Sequence, residues 1–283
     1  MRMRIGARLF DGPGPFLMGV VNATPDSFSD GGRFLDAEAA VAHALRLAGE
    51  GADLVDVGGE STRPGAAAVP AEEEIRRVVP VIERLRARGL SIPISIDTSK
   101  AAVARAALRA GADLVNDVRA LADPDLARAV AEAGAPVVLM HMRGTPADMA
   151  ERAHYRDVAA EVADELAGSM ERAERAGVSR DRILLDPGIG FAKTAEQSLE
   201  LLARLGELRA LGRPLVVGPS RKSFIGKVTG APVEARLPGT LAAVAAVVLA
   251  GAEVVRVHDV GPARQAALVA AAIRDRASPP GPR

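Results

Sequence analysis

The chain has 283 residues with 36 basic and 36 acidic side chains, so its formal charge is zero. That balance gives no global basic field to draw nucleic acid or an anionic membrane, and any anion must be held by a local constellation. There is no cysteine, which excludes disulfides, thiolate nucleophiles and Cys-ligated zinc.

From the start of the chain, MRMRIGARLF is basic but no apolar stretch of export-signal length follows it, so the expectation is a cytoplasmic protein. Residues 1–16 are expected to form a short β-hairpin turning at Gly6. Eight short apolar runs then follow: Leu17–Val21, Leu54–Val57, Pro93–Ile96, Leu114–Val115, Val137–Met140, Ile183–Leu185, Leu215–Val217 and Val254–Val257. Between them lie Ala/Glu/Arg/Leu-rich segments with helical spacing, including Ala37–Glu50, Glu72–Arg88, Ala101–Ala110 and Arg156–Ala176. Nearly continuous apolar strands alternating with helices argue for a parallel sheet buried on both faces. A weak repeat supports this: EGADLVDV, AGADLVND, AGAPVVLM and AGAEVVRV each set a glycine and small residues before a strand. Gly51, Gly111, Gly134 and Gly251 suit left-handed helix ends. Aromatics are only 2% of the chain, so the core must be built of Ala, Val, Leu and Ile. Leu241–Ala250, the longest apolar run, is about half a membrane span and reads as a buried helix. The fold expected is an α/β (β/α)8 TIM barrel over 17–277, which typically takes about 250 residues. A doubly wound open sheet is the alternative, and 278–283 should be a disordered tail.

Polar residues stand at the end of almost every predicted strand, where a barrel of this kind builds its site. Asn22 follows the first strand, Asp56 and Glu60 the second, Asp97 the third, and Asn116 and Asp117 the fourth. His141 follows the fifth, Asp186 the sixth, Ser220-Arg221-Lys222-Ser223 the seventh, and the eighth carries Arg256 and His258. Singly, some strand-end polar residues could be helix caps, as Asp26, Asp36 and Ser99 could. As a ring they read as a site, because a polar group ending a buried apolar strand must be partnered or costs about 1–3 kcal/mol. Asp97, Asn116 and Asp186 are acceptor-rich and suit a neutral heterocycle with an N–H beside an exocyclic amine. Arg63, Arg221, Lys222, Arg256 and His258 are donors on other segments and suit an anion.

Two long loops, 22–33 (NATPDSFSDGGR) and 58–65 (GGESTRPG), match neither a Walker loop nor a dinucleotide fingerprint. They read as lids that order around substrate. There is no GxSxG elbow, no HExxH and no zinc-ligand spacing among the four histidines; His141 stands open between a site role and a structural one. Only four basic residues are lysines, Lys100, Lys193, Lys222 and Lys227. They lie in Gly/Ser/Thr-rich segments, as if kept where a compact ammonium is required.

The ordered motifs GVVNATPDSFSDGG (19–32), DVGGESTRPGA (56–66), PISIDTSK (93–100), LVNDV (114–118), MHMRGTP (140–146), DPGIGFAKT (186–194), GPSRKSFIG (218–226) and VRVHDV (255–260) resemble those of the dihydropteroate synthase family. The resemblance implies an enzyme that joins a pterin pyrophosphate to p-aminobenzoate. It implies that Asp97, Asn116 and Asp186 grip the pterin with Lys222 over the ring, and that Asn22, Arg256 and His258 meet the pyrophosphate. Asn22 would also help to bind Mg2+. Thr62, Arg63 and Ser223 would line the p-aminobenzoate pocket, with Phe28 and Pro64 in the lid. Asp97, Asp186, Lys222 and Arg256 would be the catalytic set. Family members are usually homodimers associating through barrel helices; neither a nucleic acid nor a membrane partner is implied. Ala192 departs from the family pattern, which has glycine there. A methyltransferase sharing the pterin barrel, or a non-catalytic pterin binder, would keep the acidic face but has no use for the phosphate-side residues.

Overall fold

The computed structural model describes residues 1–23, 33–62 and 65–277. Most of the first long loop, Arg63, Pro64 and the 278–283 segment lie outside the described residues. Two short strands, β1 (Arg2–Ile5) and β2 (Arg8–Asp11), pair antiparallel with Ile5 opposite Arg8. Gly6 turns between them at φ 56°, and a Cβ there would meet the Asp113 carboxylate at 2.3 Å.

The main sheet is built of β3 (Phe16–Asn22), β4 (Leu54–Gly58), β5 (Ile94–Asp97), β6 (Leu114–Asp117), β7 (Val137–Met140), β8 (Ile183–Asp186), β9 (Val216–Val217) and β10 (Val254–Val257). All pairings are parallel, in the order β8-β7-β6-β5-β4-β3-β10-β9. A parallel bridge from Leu185 to Leu215, with the Leu185 amide donating to Pro214 at 2.9 Å, brings β8 and β9 together and closes the barrel. The open-sheet alternative is thereby set aside. Helices follow the strands: α1 (Arg33–Gly49), α2 (Ala71–Ala87), α3 (Ala101–Ala110), α4 (Pro124–Ala133), α5 (Val158–Arg175), α6 (Ala195–Ala203), α7 (Ser223–Thr229), α8 (Leu237–Leu249) and α9 (Val260–Ala277). α1 starts four residues before the expected Ala37, so Asp36 lies within it. The N-cap of α3 is Lys100, not Ser99.

Strand periodicity sorts the residues into two cores. Outward-facing Val55, Val57, Ile94, Ile96, Val115 and Leu139 pack under the helices. Inward-facing Met18, Leu54, Leu114, Val138, Leu184, Val216 and Val254 form a second cluster with Met3, Ile5 and Phe10 of the hairpin. The hairpin is therefore the floor of the barrel, and Phe10 is fully buried, edge-on to Phe16 with ring centroids 5.0 Å apart. One step higher on the same inward faces, two residues on, Leu54 gives way to Asp56, Leu114 to Asn116, Leu184 to Asp186 and Val254 to Arg256. A closed apolar floor below leaves the polar tier only the C-terminal mouth in which to act.

The run Leu241–Ala250 forms a helix as expected, yet only one face of it is buried. Val244, Val247 and Val248 are in the core, while Leu249 is 46% exposed. Leu241, Ala245 and Leu249 of α8 face Pro262, Val269 and Ile273 of α9 across an open apolar groove. Among the described residues no helix is long and apolar enough to cross a membrane.

If the hairpin is the floor, Phe10→Ala should cost about 3–5 kcal/mol in urea unfolding. A loss below about 1 kcal/mol would show that the hairpin merely covers the barrel.

Candidate active site

Arg256 stands at the centre of the mouth. Its Nε donates to Asp56 Oδ2 at 2.7 Å and its Nη2 to Asp97 Oδ2 at 2.9 Å. Asn116 Nδ2 donates to the same Asp56 oxygen at 3.0 Å. Asp56 is completely buried and accepts only, so it turns the Asn116 amide NH2 toward itself and leaves the amide oxygen facing elsewhere. The sequence suggested acceptors on one side and donors on the other; instead Arg256 is threaded between the carboxylates. Removing charge from water this way is tolerable because each carboxylate meets a guanidinium N–H.

The remaining groups feel burial strongly. Burial, with Asp56 nearby, pushes the Asp97 carboxyl up to about 7 against the pull of Arg256. Asp186 ends β8, accepts from the Gly188 amide at 2.7 Å, and is raised by burial. Lys222 stands at the N-cap of α7 with its ammonium 3.9 Å from the centre of the Phe191 ring, a cation–π distance. Burial and the neighbouring Arg256 draw it down to about 8, while Asp186 and Asp97 oppose the drop. His258 Nδ1 lies 2.9 Å from Ser220 Oγ, and burial with Arg256 and Arg221 around it holds the ring down to about 4. At neutral pH this ring therefore offers an N–H and no charge.

Other expected residues are placed more loosely. Asn22 ends β3 in register with Gly58, and its side chain makes no hydrogen bond among the described residues. Thr62 lies in the loop after β4, and Ser223 opens α7 with an exposed side chain. Arg221, read as an anion donor, is committed as a fork to Asp259 at 3.0 and 2.8 Å, with its backbone held at φ 57°. Among the described residues no group of three or more His, Asp or Glu side chains gathers as a metal site.

A family model described as "Pterin binding enzyme" matches residues 18–258, from β3 through His258. The chain belongs to the pterin-binding enzyme family. Within that family it is 47% identical over 272 residues to the dihydropteroate synthase of Synechocystis sp., covering 95% of this chain and 94% of that protein. It also resembles the Xanthomonas albilineans dihydropteroate synthase solved with 4-aminobenzoic acid, at TM-score 0.91 and 50% identity, over 98% of this chain and 99% of that one. A structure of the X. albilineans enzyme in complex with 7,8-dihydropteroate matches at TM-score 0.88 and 47% identity, over 99% of this chain and 100% of that one.

For this pterin-binding chain the sequence had missed two contributors. Asp56 was seen as a strand-end residue without a role, although its spacing from Leu54 already placed it on the inward face. Phe191, beside Lys222, carried no signal, because ring stacking between distant loops leaves none in sequence. His141 resolves toward structure: it is 3% exposed, with Nε2 at 3.0 Å from Glu165 Oε2 and Nδ1 at 2.9 Å from Lys193 Nζ.

Proposed function

We propose that the chain is a dihydropteroate synthase, a transferase that condenses 6-hydroxymethyl-7,8-dihydropterin pyrophosphate with p-aminobenzoate to give 7,8-dihydropteroate and pyrophosphate. What carries this reading is the likeness, over nearly the whole chain, to dihydropteroate synthases, one of them holding that product. In this reading Asp97, Asn116 and Asp186 accept the ring N–H and exocyclic amine of the pterin, with Lys222 packed over the ring. Arg256 spends one N–H on Asp56 and one on Asp97. A guanidinium has five, so three remain for the pyrophosphate, beside the N–H of neutral His258.

The methylene–oxygen bond breaks with its electron pair leaving on the pyrophosphate, whose growing charge Arg256 meets. The cation left on the pterin methylene is stabilised by Asp97 and Asp186, and the aryl amine then attacks that carbon and releases its proton. Mg2+ belongs to the same proposal: an amide oxygen such as that of Asn22, unbonded among the described residues, suits a hard cation that takes its other ligands from phosphate and water. That cation would help neutralise the leaving group. Thr62, Arg63 and Ser223 would line the p-aminobenzoate pocket, from which the two loops would exclude water. A homodimer is also part of the reading, supported by the apolar α8–α9 groove, which a second copy would cover. A cytoplasmic location goes with it.

Purified protein given Mg2+, the pterin pyrophosphate and labelled p-aminobenzoate should form dihydropteroate, and Asp186→Asn should abolish turnover with the fold intact. An active Asp186→Asn variant would remove the pterin role of that residue. The pH profile has a sign. Asp97 must be ionised to accept, so kcat/KM rises as pH passes about 7. Lys222 must stay charged, so kcat/KM falls above about 8. The limbs belong to the coupled site as a whole, and Lys222→Arg should carry the alkaline limb upward; an unmoved limb would assign it elsewhere. Sedimentation should give twice the chain mass, and Ile273→Asp should halve it; a monomeric wild type would leave the groove unexplained.

A further inference from the structure

Among the four lysines, Lys193 is half-buried beside the site and takes no part in the mechanism above. Its Nζ lies 2.9 Å from His141 Nδ1, 3.1 Å from the Gly188 carbonyl and 3.1 Å from the Phe191 carbonyl. An ammonium has three N–H donors and no acceptor. Burial draws Lys193 down to about 7 while Asp186 and Glu165 hold it up, and in the charged form three donors meet three acceptors. The match also fixes the His141 tautomer: Nδ1 must present its lone pair to Lys193, so the proton sits on Nε2 and donates to Glu165 Oε2 at 3.0 Å. Glu165 is in turn bonded by Arg143, which also pairs with Glu161 and lies 3.9 Å over the Tyr155 ring. A continuous path therefore runs from a half-exposed carboxylate on α5 to the loop between β8 and α6.

That loop carries two of the groups assigned to the pterin. The Gly188 amide holds Asp186 Oδ1, and the Phe191 ring lies under the Lys222 ammonium. The loop has no slack. A Cβ on Gly188 would come within 1.9 Å of the His141 carbonyl oxygen, and Ala192, between Phe191 and Lys193, is held in the left-handed region at φ 47°. An alanine there is strained, so the conformation persists because the neighbouring contacts enforce it.

We propose that Lys193, braced by His141 and Glu165, is a positioning residue that sets the β8–α6 loop and thereby the alignment of Asp186 and of the Phe191–Lys222 stack. Its effect falls on pterin affinity and leaves p-aminobenzoate largely alone, a consequence that rests on the pterin reading given above. Arginine does not replace it, because a planar five-donor fork cannot reproduce three converging bonds in the space of an ammonium.

The test compares Lys193→Met, Lys193→Arg and Glu165→Gln with the wild type. Calorimetry with the dihydropterin pyrophosphate is paired with steady-state kinetics at saturating pterin. Both Lys193 variants should weaken pterin binding by roughly tenfold or more, the scale of a lost charge-assisted hydrogen bond. Glu165→Gln, at the solvent end, should weaken it by a smaller factor, and the KM for p-aminobenzoate should stay within about twofold in all three. If Lys193→Met does not fold, the other two variants carry the comparison. Wild-type pterin affinity in Lys193→Arg, or equal losses for the two substrates, would overturn the inference while an active wild type leaves the function standing. A wild type that makes no dihydropteroate would overturn both.

Discussion

The guanidinium of Arg256, bonded to Asp56 and Asp97 inside the barrel mouth, is the interaction on which the rest of the site depends. Two carboxylates this deeply buried could not stay ionised side by side without a cation between them. With Arg256 in place, Asp56 holds the Asn116 amide in one orientation, and Asp97 sits near the balance between its charged and neutral forms. The same side chain also lowers Lys222 and His258. Burial is the larger cause of these shifts, and one half-buried cation then biases the protonation of much of the mouth. It can do so because the hairpin floor keeps water from reaching the polar tier from below.

The second constraint is backbone. Loops after β8 and β9 hold residues in the left-handed region that are not glycine, Ala192 and Arg221. Each is over-determined by contacts. Ala192 is flanked by Phe191 and Lys193, both tied to the site, and Arg221 is fixed by Asp259, Thr240 and Arg236. Strain of about 1–3 kcal/mol per residue survives only where surroundings insist on it. In this chain it survives beside Lys222 and Asp186.

Much of this was readable from the chain. β-branched runs between helical segments give strands buried on both faces, and the period of two then dictates that Leu54 and Asp56, or Val254 and Arg256, share an inward face. Ordered motifs from 19 to 260 pointed to a pterin-binding barrel, and the comparisons place the chain in that family. α8 was harder. Its even hydrophobicity suggested full burial, but composition alone cannot tell a core helix from one that keeps an exposed apolar face.

Local periodicity and the places where apolar runs stop specify the alternation of strands and helices and the ring of polar residues at the strand ends. Closure of the sheet into a barrel, and which of those residues bond to one another, came only with packing. Arg256 is 200 positions from Asp56 and Lys193 is 52 from His141, and no pattern in one dimension encodes a hydrogen bond across a closed barrel. Protonation was decided there too, since burial, with Asp56 beside Asp97 and Arg256 beside Lys222, moves both groups toward neutrality.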